Sequence, residues 1–69
     1  MANHLSPLAK NIKKRRNELG ISQDKLSKLA NVTLHTLTKI ESGATADPRI
    51  ETVNKIANAL GVTLDDLMK

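Results

Sequence analysis

Residues 22–43 read SQDKLSKLANVTLHTLTKIESG, a stretch that spells two short helices with an abrupt change of direction between them. Ser22 has the side-chain oxygen an N-cap needs, and Asp24 falls in the first turn, where a negative charge meets the positive end of the helix dipole. Leu26, Leu29 and Ala30 then make an apolar stripe over Gln23 to Ala30, barely two turns. Asn31 ends this helix, since asparagine is, after glycine, the residue most tolerant of positive φ, and Val32 is expected to be a buried link. Thr33 caps the next helix, Leu34 to Ser42, with Leu37 and Ile40 inward and Gly43 at its end.

The flanks continue the helical pattern. Upstream, Ser6-Pro7 reads as an N-cap followed by proline at the first helical position, and Leu5, Leu8, Ile12 and Leu19 recur at helical spacing up to Gly20. The other faces of this helix carry Lys10, Lys13, Lys14, Arg15 and Glu18. Downstream, residues 43–48 have no periodicity and read as a loop; Ile50, Val53, Ile56, Ala57 and Leu60 then define a fourth helix stopped by Gly61. Thr63 with Asp66 approximates a capping box for a short last helix, Leu64 to Met68, which would bring Leu64 and Leu67 to the core. The expected fold is all-α, with five helices and no strand, in one domain over residues 1–69 with residues 1–5 frayed. Such short helices are marginal alone and must be held by packing.

Composition narrows the function. A chain of 69 residues buries only about 60% of the surface its unfolded form exposes, so the core must be economical. No cysteine is present, which removes disulfides, thiolate metal sites and thiol nucleophiles together. His4 and His35 stand apart, no Gly-rich phosphate loop occurs, and no metal-ligand spacing is found, so neither catalysis nor a cofactor or metal is expected. No apolar run approaches the roughly 20 residues of a membrane span, and the N-terminal residues lack a signal-peptide plan; the expected location is the cytoplasm.

Charge is polarised along the chain. Residues 1–42 hold eight Lys or Arg against three acids, whereas residues 43–69 hold three against four. A basic pole on a small domain suits a polyanion, either nucleic acid or an anionic membrane surface, and equally suits a solvated face kept for solubility. The absence of Phe, Tyr and Trp argues against single-strand and RNA binding, which use aromatic stacking platforms, and leaves duplex DNA.

The spacing around the bend is specific: Gln23, three residues, Ser27, three residues, Asn31-Val32-Thr33, three residues, Leu37, two residues, Ile40-Glu41. Leu19-Gly20-Ile21-Ser22-Gln23 precedes it, Ile40-Glu41-Ser42-Gly43 ends it, and Ile56-Ala57-Asn58-Ala59-Leu60-Gly61-Val62 follows. This arrangement resembles the phage repressor and Cro family of XRE-type helix-turn-helix DNA-binding domains, over about residues 8 to 68. The sequence departs from the family at Ser27 and Asn31, where alanine and glycine are more usual, and in the loop, where Ala44-Thr45-Ala46 stands in place of a frequent lysine. Serine stays small and asparagine reaches positive φ, so the geometry survives both changes.

The resemblance implies a compact lambda-repressor-like domain whose second and third helices form the motif, with helix 34–42 in the DNA major groove. It places Thr33, Leu34, His35, Thr36, Thr38 and Lys39 against base edges. Leu34 is then either a contact for a thymine methyl group or an ordinary exposed leucine, and Thr36 either a contact or a capping residue. The resemblance makes Gln23 a phosphate anchor at the start of helix two, with Lys13, Lys14, Thr45 and Arg49 as further phosphate contacts. It also implies that Arg16 and Glu41 pair. The expected activity is sequence-specific binding of double-stranded DNA as a transcriptional regulator, a repressor, acting as a weak homodimer on a pseudo-palindromic operator. Leu60, Val62, Leu64 and Met68 are the candidates for the dimer contact, or else core. The rival reading is a protein-binding adaptor of the same fold, of the antitoxin or coactivator type.

Overall fold

Among the described residues, five helices follow one another in the order α1 (Pro7–Leu19), α2 (Gln23–Ala30), α3 (Leu34–Glu41), α4 (Ile50–Leu60) and α5 (Leu64–Met68). The computed structural model describes residues 7–45 and 47–69; the expected Ser6 cap, the expected part of Leu5 and the expected fraying of residues 1–5 lie outside the described residues, as does Ala46. The described residues contain no strand, and the fold is all-α. No helix among them is long and apolar enough to cross a membrane.

Local chemistry sets the helix limits. Ser22, Thr33 and Thr63 are extended N-caps whose hydroxyls accept from the backbone N–H three residues on, and Thr63 with Asp66 completes a capping box. Asn31 takes φ 58° at the end of α2, where a left-handed residue lets the chain reverse towards α3. α3 ends at Glu41, one residue earlier than its spacing suggested, with Ser42 as the cap.

The core is built from Leu8, Ile12, Leu26, Ala30, Leu37, Ile40, Val53, Ile56, Ala57, Leu60 and Leu67, with Ile21, Val32, Ala59, Val62 and Leu64 packed around it. α1 packs on α3, α4 and α5, and α2 packs on α3 and α4. Two side chains of α1 close the ends of other helices. Asn11 Nδ2 donates to the Leu67 carbonyl at 2.9 Å, and Arg15 Nε donates to the Leu60 carbonyl at 3.1 Å. Both acceptors lie in the last turn of a helix, where carbonyls lack an intrahelical partner.

Three residues read as inward face solvent. Leu19 is exposed because Ile21, past the Gly20 turn, supplies the apolar contact at that end of α1. Leu29 is 54% exposed, since α2 is buried only through Leu26, Ser27 and Ala30 and Leu29 lies about 100° around the helix from the centre of that stripe. Ile50 opens α4 ahead of its buried series Val53, Ile56, Ala57 and Leu60, and is exposed. Ala9 is fully buried although spacing did not mark it. Val32 is half-buried rather than buried, and so is Leu64. Of the four candidate dimer residues, Leu60 is in the core, Val62 and Leu64 lean on it, and Met68 is exposed.

Candidate nucleic-acid interface

The bend between α2 and α3 needs a close helix crossing, and Ser27 provides it. Its side chain is buried, yet its hydroxyl donates to the Asp24 carbonyl at 2.7 Å, so burial leaves no polar atom unsatisfied. The backbone N–H of Val32 donates to the Ser27 carbonyl at 3.0 Å, closing the turn. Thr33 starts α3: its Oγ1 accepts from the Thr36 N–H at 3.1 Å and donates to Thr36 Oγ1 at 2.8 Å.

Burial of Leu37, Ile40 and Glu41 turns the opposite side of α3 outward. Thr33, Leu34, His35 and Lys39 are exposed, and Thr36 and Thr38 are half-buried at its edges. The Thr38 hydroxyl donates to the His35 carbonyl at 2.9 Å. After α3 the chain folds back, with the N–H groups of Ala44 and Thr45 both donating to the Lys39 carbonyl at 2.9 and 3.2 Å. That return makes a groove lined by His35, Thr36 and Lys39 on one side and by Thr45, Asp47, Pro48, Arg49 and Thr52 on the other. The structure therefore gathers five of the residues named from the sequence, His35, Thr36, Lys39, Thr45 and Arg49, in one concave strip.

Lys13 and Lys14 do not line it. They share the open face of α1 with Lys10, Asn17 and Glu18. Thr52 was missed by the sequence reading; its spacing of three from Arg49 puts it on the same side of α4 and is the signal that could have found it.

Behind this surface lies a buried charge network. Glu41 is 1% exposed and accepts from Arg16 Nε at 3.0 Å, Arg16 Nη2 at 3.1 Å and Gln23 Nε2 at 3.1 Å. Arg16 is 14% exposed, and its Nη1 donates to the Ile21 carbonyl at 3.0 Å. A two-pronged guanidinium–carboxylate contact fixes both distance and angle, so the end of α3 is held against α1 and the start of α2. Gln23 is half-buried, with one amide proton committed to Glu41 and the second left over. That membership was not read from the sequence. Among the described residues no group of three or more His, Cys, Asp or Glu could hold a metal ion.

The chain belongs to the helix-turn-helix family, whose pattern it matches over residues 12–67. It is similar to the N-terminal DNA binding domain of SinR from Bacillus subtilis, with 28% identity and a TM-score of 0.87 over 97% of this chain and 94% of that one. It also resembles part of the hydroxypropylphosphonic acid epoxidase from S. wedmorenis, with 23% identity and a TM-score of 0.80. That likeness covers 94% of this chain but 34% of the epoxidase, and it concerns the fold alone. No curated protein sequence matches the chain.

Proposed function

We propose that this chain binds double-stranded DNA sequence-specifically as a transcriptional regulator, with α3 in the major groove. The observation that carries the reading is the outward side of α3: Thr33, Leu34, His35 and Lys39 are exposed on it, and it continues through the groove to Thr45 and Arg49. A major groove about 12 Å wide accepts one α-helix, and the exposed face of α3 offers side chains that can meet base edges. Thr33, Leu34, His35, Thr36, Thr38 and Lys39 are the proposed base contacts. The likeness to the SinR DNA binding domain supports DNA as the ligand.

Phosphate contact falls to residues around this helix. The second amide proton of Gln23 and the first N–H groups of α2, which the Ser22 cap on Lys25 leaves unused, suit an anionic oxygen, and Thr45 and Arg49 flank the strip on its far side. Lys13 and Lys14, on the exposed face of α1 beside Glu18, are the further proposed phosphate contacts. Two domains on a pseudo-palindromic operator would double the contact, as a weak dimer that forms on DNA, and repression would follow where the operator overlaps a promoter. Of the residues named for the dimer contact, Met68 is exposed and Val62 and Leu64 are half-buried, so these three are the ones a second copy could reach.

Selection of bound duplexes from a randomised pool at near-physiological salt tests the reading. It predicts a two-fold motif with half-sites about ten base pairs apart, affinity lost on all sequences with Gln23→Ala, and altered base preference with His35→Ala. If no duplex is enriched, the reading fails and the surface is that of a protein-binding adaptor.

A further inference from the structure

The outward residues of α3 are unequal in what they can offer a base. None is Arg, Asn, Gln, Asp or Glu, so apart from Lys39 the helix lacks the side chains that make paired hydrogen bonds to guanine, adenine or cytosine. The donors are also gathered on one flank. His35, Thr36 and Lys39 line the groove beside the loop, whereas Leu34 and Thr38, four residues apart, share the other flank. On that flank Thr38 has its hydroxyl proton committed to the His35 carbonyl, which leaves only its oxygen lone pairs and methyl group to face outward. Leu34, the first residue of the helix, is 42% exposed among polar neighbours.

We infer that Leu34, flanked by the Thr38 methyl, reads the 5-methyl group of a thymine, so that this flank of α3 selects an A·T pair by apolar contact rather than by hydrogen bonding. The inference rests on α3 entering the major groove. The thymine methyl is the one apolar feature on the major-groove edge of the bases, and an exposed leucine at the tip of the helix has the shape to cover it.

The test uses the duplex recovered by selection. Each thymine of a half-site is replaced singly by deoxyuridine, which keeps the pairing and O4 and lacks only the methyl. With the unaltered protein, one position should weaken binding about fourfold, the value of one buried methyl-sized group. With Leu34→Ala, both duplexes should bind equally at that position; the residue is exposed, and an unchanged melting curve verifies that the fold is intact. Equal binding of thymine and deoxyuridine by the unaltered protein at every position overturns the inference, as does Leu34→Ala keeping the discrimination, while DNA binding itself stands in both cases. A protein that enriches no duplex overturns the parent reading and this one with it.

Discussion

Removing the carboxylate of Glu41 is the sharpest perturbation of this fold. Glu41→Ala deletes the acceptor of three hydrogen bonds at 3.0, 3.1 and 3.1 Å and strands a guanidinium that is 14% exposed, with the Ile21 carbonyl as its remaining partner. Breaking a buried ion pair from one side costs about 3–5 kcal/mol, because the surviving charge keeps its desolvation without its counter-charge. Partial access of Arg16 to water puts the expected loss at the lower end, about 3 kcal/mol. A chain of 69 residues has about 3.5–10 kcal/mol in total, so this is a third or more of its stability. At about 4–8 °C per kcal/mol, the melting temperature should fall by more than about 10 °C. Thermal and urea unfolding followed by circular dichroism at 222 nm measure it, with the m-value showing whether unfolding stays two-state. A drop below about 4 °C would refute the argument that the pair is buried and coupled. The double variant Arg16→Met with Glu41→Leu adds a second check: it should recover much of the loss, since no unpaired charge remains.

Three further outcomes follow from burial and backbone geometry. Leu26→Ala should cost about 2–5 kcal/mol and Leu29→Ala less than about 1 kcal/mol, because the first side chain is fully buried and the second 54% exposed; similar losses in a urea titration would contradict the assigned face of α2. Gly61→Ala should cost about 1–2 kcal/mol through its φ of 72° alone, since an added Cβ meets nothing within 4 Å; an unchanged urea midpoint would show that the turn relaxes. The Asp66 carboxyl is held below the usual carboxylate range, first by the Thr63 backbone N–H, then by the Thr63 hydroxyl and by Lys69. With the folded value depressed, the capping box is intact above the unfolded carboxylate pKa of about 4 and is lost as pH falls through the lower folded value. An NMR titration of the Asp66 carboxyl should therefore show a low midpoint that rises in Thr63→Ala, and an unshifted midpoint in that variant would count against the box.

Helix limits were legible in the sequence because capping chemistry is local. Ser22, Thr33, Asn31 and Gly61 each specify their conformation within four residues, and each stands where its type predicted. Burial at stripe edges was less legible. Leu29 and Ile50 share helical spacing with core residues, but spacing gives a direction and not the width of the neighbour that covers it. The groove was partly legible: its residues could be named one by one, whereas their assembly depends on the loop folding back onto the Lys39 carbonyl, a tertiary contact without a sequence signature. The Gln23–Glu41 bond was invisible for the same reason, since it joins residues 18 apart whose approach is set by the helix crossing.

The contact from Asn11 to the Leu67 carbonyl spans 56 positions and joins the first helix to the last. During synthesis α1 emerges first, yet the surfaces that bury it belong to α3, α4 and α5. At about 5–20 residues per second, α1 waits several seconds with Leu8 and Ile12 uncovered while the rest of the domain is made. The nascent chain thus cannot close this core until Leu67 has left the ribosome, and the domain matures in one step rather than helix by helix.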